Sequence, residues 1–276
     1  MSAAVQGVTG DAAFVPSAQI AVRNVAKRYD GTPILERVNL DVTSGSFCTI
    51  VGASGCGKST FLRMLLSQET PSSGAILLDG KPLPAEPTTE RGIVFQRYSV
   101  FPHLSVEDNL TLADEFARSP FTGKLFGAAR SAARQSHTEL LETIGLAAAR
   151  KRYPDQLSGG MQQRLAIAQA LVMKPKILLM DEPFGALDPG IRADMQELLI
   201  RIWEETKMTI FMVTHDIHEA FRLGTRMLVF DKVRHDPEHP EAYGATITYD
   251  LPLDHKRGEP PPKASELFPV PPGTTK

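Results

Sequence analysis

The chain has 276 residues, a formal net charge of −2, 42% hydrophobic and 22% charged residues, which fits one large domain or a domain with a small appendage and allows a sizeable core. The near-neutral balance argues against a basic face for nucleic acid. Two cysteines, Cys48 and Cys56, make no disulfide framework and point to a reducing compartment.

Residues 1–19 are small and polar and read as a flexible tail. Without a basic start, and with Asp11 ahead of any long apolar run, they do not read as a secretory signal. From Ile20 to about Val51, apolar runs broken by Asp30-Gly31 and Ser44-Gly45 predict antiparallel strands. Ser46 to Gly52 reads as a buried strand that feeds a glycine-rich loop. Thr60 to Ser67 then shows a helical apolar face of Phe61, Leu62, Leu65 and Leu66. Gly92 to Phe95 is a short strand. The helical pattern from about Val106 to Arg152 predicts an insert, and its long, basic stretch Arg118 to Arg134 reads as a solvated loop, with a contact to lipid headgroups or the membrane partner as the alternative. Gly160 to Met173 is a second helix, Lys176 to Asp181 a buried strand, Ile191 to Ile202 a helix and Thr209 to Thr214 a strand. Short buried strands alternating with helices mark an α/β domain. After Asp231 come Pro237, Pro240, Pro252 and Pro260-Pro261-Pro262, with one strand near Ala245 to Leu251. No internal repeat appears, and no run of about 18 apolar residues predicts a spanning helix.

Gly52-Ala53-Ser54-Gly55-Cys56-Gly57-Lys58-Ser59-Thr60 matches G-x-x-x-x-G-K-[ST] between a predicted strand and a predicted helix. Glycines there let successive backbone N–H groups converge on phosphate oxygens, and the helix N-terminus adds a positive field. Lys58 supplies a charge for the β- and γ-phosphates, and the Ser59 hydroxyl is a Mg²⁺ ligand in such loops. Farther on, the apolar strand Ile177 to Met180 ends in Asp181-Glu182. A buried strand ending in two carboxylates needs a cation or a reaction to serve. Asp181 would hold Mg²⁺, through water, and Glu182 would orient or deprotonate the attacking water. Cys48 and Cys56 both read as inert, though Cys56 sits where it could react when the loop is empty; His235, Asp236 and His239 lack the buried framework of a metal site.

Leu157-Ser158-Gly159-Gly160-Met161-Gln162-Gln163-Arg164 resembles the signature motif of ATP-binding cassette (ABC) ATPases. The other motifs of that family follow in order over roughly Ile20 to Asp231. Tyr29 resembles the aromatic that stacks on adenine, and Gln96 the Q-loop glutamine. Gly185-Ala186-Leu187-Asp188 resembles the D-loop, and Thr214-His215-Asp216 the switch-histidine segment. Taken singly, each has an ordinary alternative: a surface aromatic for Tyr29, an exposed amide for Gln96, a helix cap for Asp188 and a strand end for His215.

The resemblance implies a P-loop ABC ATPase core with an N-terminal antiparallel β subdomain and a helical insert subdomain. The ATPase domain would span residues 20–253, its helical part about 97–157, before a proline-rich tail at 254–276. ATP would lie on one subunit's phosphate loop, with Ser158, Gly159 and Gly160 of a second, identical or related, subunit reaching its γ-phosphate. Glu182 would serve the water and His215 the γ-phosphate. Gln96 would sense Mg²⁺ and water. The chain would sit at the cytoplasmic face of the inner membrane on a transmembrane permease, with a solute-binding protein as an indirect partner and no nucleic acid.

Phe184-Gly185-Ala186-Leu187-Asp188 and Phe101-Pro102-His103-Leu104 resemble binding-protein-dependent importers, above all the nitrate, sulfonate, taurine and bicarbonate group. The stretch Tyr243 to Asp250 resembles a subset found beside urea or guanidine metabolism. An exporter or lipid-moving motor, and a soluble ABC ATPase acting on nucleic acid or ribosomes, stand as alternatives. The latter lacks its second cassette or long coiled coil. The 45 residues after Asp231 are too few for an independent regulatory core.

Overall fold

The computed structural model describes residues 19–95, 100–118, 127–234, 236, 238–239 and 241–253, with the backbone alone for 116–118 and 127–134. Residues 1–18, Gln96, the side chains of Arg118 to Arg134, His235 and the tail 254–276 therefore lie outside the described residues.

The elements run β1 (Ile20–Tyr29), β2 (Thr32–Val42), β3 (Phe47–Gly52), α1 (Lys58–Leu65), β4 (Ser73–Leu78), β5 (Lys81–Pro82), β6 (Arg91–Val94), α2 (Val106–Arg118) and α3 (Gly127–Thr143). After 3-10 turns at Ala147–Ala149 and Pro154–Gln156 come α4 (Gly159–Val172), β7 (Ile177–Asp181), α5 (Pro189–Thr206), β8 (Thr209–Val213), α6 (Ile217–Leu223), β9 (Arg226–Asp231) and β10 (Thr246–Pro252).

An antiparallel sheet has the order β2-β1-β4-β5. Its first hairpin turns at Asp30-Gly31, both at positive φ (47° and 86°), between the paired Tyr29 and Thr32. A two-residue turn with both centres left-handed matches the twist of the strands it joins. Asp79-Gly80 repeats the device between Leu78 and Lys81.

The central sheet has the order β10-β9-β3-β8-β7-β6, parallel except for the antiparallel edge strand β10. β3 thus leaves the antiparallel set of its sequence neighbours. The inner strands read as unbroken apolar runs because both faces are covered. Successive residues of β8 show it: Ile210 and Met212 join one core cluster, Phe211 and Val213 the other. On one face α1 buries Phe61, Leu62 and Leu65 together with residues of β1 and β2. On the other, α4 and α5 pack Leu165, Ile167, Leu198 and Trp203. α2, α3 and the turn that follows α3 contribute Leu110, Leu141 and Ile144 to that second cluster. Among the described residues no helix is long and apolar enough to cross a membrane.

Candidate functional site

The glycine-rich loop leaves the end of β3, flanked in the sheet by β8 and β9. A Cβ on Gly52 would stand 2.1 Å from the Phe230 carbonyl oxygen of β9, so only glycine lets the loop turn there. α1 begins two residues earlier than its apolar pattern predicts. Gly57 takes its cap position and no side-chain hydrogen bond caps its first turn, so those N–H groups remain for a ligand. The Lys58 ammonium donates to the carbonyls of Gly52 and Ala53, each at 2.8 Å, which folds it into the loop. Ala53, Ser54 and Gly55 are exposed at the rim, and Thr60 is half-buried.

Cys56 is buried, and burial first of all pushes its thiol up, with Lys58 opposing. Burial and a raised pKa agree with the inert thiol read from the sequence.

The Ser59 hydroxyl donates to Asp181 Oδ1 at 3.1 Å, joining the start of α1 to the end of β7. Burial raises the Asp181 carboxyl above the ordinary aspartate range, and the Ser59 hydrogen bond works against it. Glu182 follows at φ 48°, a left-handed backbone that a non-glycine residue adopts at some cost. Its N–H donates to the Val213 carbonyl at 3.0 Å, which pins the bend to β8. One residue past β8's own extension, Thr214, the His215 Nε2 meets the Glu182 carboxylate in close contact. Both line a cavity of about 630 Å³ together with Arg192, Thr214 and Glu219. The signature segment contributes no lining residue to it.

Tyr29 ends β1 as a 40% exposed residue that donates its hydroxyl to Glu69. Asp188 stands at the cap position of α5, before Pro189, and its side chain makes no capping bond. Ser158 caps α4, accepting from the Met161 N–H at 3.4 Å. Ser158 and Gly159 are exposed, whereas Gly160 is buried; a Cβ there would stand 2.4 Å from Ile191 Cγ2 of α5. Glycine at 160 therefore sets the close approach of α4 to α5. Gln96 lies outside the described residues. In the segment after β9, no group of three or more His, Cys, Asp or Glu is placed to hold a metal among the described residues.

The family profile described as "ABC transporter" matches residues 35–185. The chain belongs to the ABC transporter family. This ABC chain is 46% identical over 195 residues to the nitrate import ATP-binding protein NrtD of Synechococcus elongatus, covering 71% of the chain and 68% of the relative. It is 40% identical over 229 residues to the aliphatic sulfonates import ATP-binding protein SsuB of Bacillus licheniformis, covering 83% of the chain and 82% of the relative. A solved dimeric ATP-binding cassette in a post-hydrolysis state with ADP and Pi superposes with TM-score 0.67 at 30% identity, over 86% of this chain and all of that one. The cbiO1 subunit of Clostridium perfringens gives TM-score 0.69 at 27% identity, over 85% and 88%. The fold is that of an ABC ATPase and the chain is an ATP hydrolase.

Sequence reasoning passed over Arg192, Gln196 and Glu219 near the switch histidine. One signal was available: Asp216-x-x-Glu219 has the spacing of a helix-starting capping box, and Asp216 does cap α6 through the N–H groups of His218 and Glu219.

Proposed function

We propose that this chain is the motor of a bacterial importer, hydrolysing ATP to drive a small solute through a partner permease. One observation carries the reading: Lys58, the Ser59–Asp181 pair and the Glu182–His215 pair all gather at the ends of β3, β7 and β8. The phosphates of ATP lie on the N–H groups of residues 52–60, with Lys58 leaving its loop carbonyls for phosphate oxygens. Tyr29 offers its exposed ring to adenine.

The Ser59 hydroxyl and Asp181 carboxylate make a hard-oxygen pair that suits Mg²⁺, and a cation would relieve the charge that burial disfavours at Asp181. Gln96 would complete that set. Bound Mg²⁺ would supply charge neutralisation at the β- and γ-phosphates. Glu182 accepts the proton of the attacking water, and His215, in contact with it, donates to the γ-phosphate. These residues work by position and electrostatics.

Ser158, Gly159 and Gly160 of a second subunit, identical or related, close over the γ-phosphate, and Asp188 lies beside that joint. Importers of nitrate, sulfonates, sulfate and polyamines among the relatives support the direction of transport. The chain would ride on the cytoplasmic side of the membrane as one domain over residues 20–253, fed indirectly by a solute-binding protein.

The permease would dock beside Phe101 and Leu104. Phe101 has an exposed ring, but its backbone is locked by the buried Asn109, which accepts from the Phe101 N–H at 2.8 Å and donates to the Phe101 carbonyl at 3.1 Å. An apolar side chain on a fixed loop suits a helix-in-groove contact. Phe101→Asp should weaken co-purification with the permease and uptake while nucleotide binding persists. Unchanged assembly and transport would refute the docking site, and a permease complex with no ATP hydrolysis would refute the motor.

A further inference from the structure

His215 hangs at the middle of the three-residue turn between β8 and α6, and the buried carboxylate of Glu219 holds that turn from below. Glu219 is 6% exposed. One of its oxygens accepts from the Thr214 hydroxyl and the other from Gln196 Nε2 of α5 at 2.9 Å. Thr214 and Gln196 are themselves 3% and 5% exposed. The same Thr214 oxygen accepts from the Asp216 N–H at 3.1 Å. Residues on both sides of His215 are thus tied to one point.

The arrangement departs from an ordinary capping box. At the third position of a helix a glutamate normally reaches back to the N-cap N–H. Here Thr214 takes that N–H, and Glu219 turns instead to α5. The bridge has a longer companion nearer the surface, Arg192 of α5 with Asp216 at 3.7 Å. α5 is also the helix whose first turn, at Ile191, touches Gly160 of the signature segment.

We infer that Glu219 is a positioning residue for hydrolysis: with Thr214 and Gln196 it fixes the switch turn that carries His215 and couples that turn to α5, hence to the signature segment of the same subunit. The inference rests on the role proposed for His215. Both partners donate to Glu219, so its two oxygens act only as acceptors, and a buried network of this kind tolerates no mismatch.

The donor–acceptor logic supplies the test, on the full chain by steady-state ATPase assay. Glu219→Gln puts an amide NH₂ where Thr214 or Gln196 already donates, and should lower kcat about 10-fold or more with the KM for ATP little changed, as loss of a hydrogen bond to a buried acceptor implies. Gln196→Glu sets two carboxylates together and should lower kcat as well. The reciprocal double variant, Gln196→Glu with Glu219→Gln, lets residue 219 accept from Thr214 and donate to residue 196. It should return kcat to within about 2-fold of the parent, the coupling that contacting pairs show in such cycles. Unaltered kcat in Glu219→Gln, or a loss that the reciprocal pair does not recover, overturns the inference. His215→Ala runs beside them: if it hydrolyses ATP at the parental rate, the reading of His215 falls, whatever the Glu219 variants do.

Discussion

Asp181 is where the burial that builds the site works against its charge. Burial raises its carboxyl, the Ser59 hydrogen bond lowers it, Glu182 raises it, and Arg63 and Lys58 lower it, with burial the largest effect. An aspartate raised in the folded protein favours folding while protonated, and that contribution is lost as pH climbs from the ordinary aspartate range through the raised value. In protein stripped of nucleotide, Asp181→Asn should therefore melt at a higher temperature than the parent at pH 7. The gap should close as the pH falls below the ordinary aspartate range. The same variant should lose the stabilisation that Mg²⁺ with ATP gives the parent. Thermal melts across pH, with and without Mg²⁺ and ATP, check both signs; a variant that melts lower at pH 7 contradicts the account. Lys58→Ala tests the neighbouring charge: nucleotide binding, measured by fluorescence titration, should be lost while the fold persists.

At the scale of elements, β10 is the least expected part of the central sheet. It pairs with β9, and Arg226 donates to the two Asp250 carboxylate oxygens through Nε and Nη2, each at 2.6 Å. Leu253 packs with Val51, Ala220, Phe221 and Met227. Burying a leucine such as Leu253 is worth about 1.5–3 kcal/mol. A chain ending after Leu253 should keep its melting temperature and ATPase activity. One ending before Thr246 should lose several degrees or fail to fold, and circular dichroism melts separate the two.

β10 was legible as an isolated strand because Thr246 to Leu251 alternates, but nothing local says which strand it joins. β9 went unread although Met227, Leu228 and Phe230 are apolar, for it lies against turn-forming text. β4 and β5 went unread too, though Asp79-Gly80 marks their turn. The phosphate loop, the acidic strand end and the signature segment were plain because each fixes residue types at short spacing. The Thr214–Glu219–Gln196 network was not, since 23 positions separate Gln196 from Glu219 and only packing brings them together.

Over the whole molecule, the signature segment lies outside the cavity that holds Glu182 and His215, with Ser158 and Gly159 exposed at the start of α4. On the proposed reading a second subunit completes the site, and ATP becomes part of the joint. A ligand held by both halves stabilises the closed dimer by mass action, and hydrolysis removes that gain. Glu182→Gln keeps size and hydrogen bonding but removes the carboxylate proposed to take the water's proton. Turnover should fall by about 10²-fold or more, the order lost with a general base. The direct measurement is size-exclusion chromatography of Glu182→Gln with Mg²⁺ and ATP, with phosphate release followed in the same sample. The account predicts an ATP-dependent dimer that hydrolyses almost nothing and dissociates when ATP is removed. A variant that hydrolyses ATP at the parental rate contradicts it.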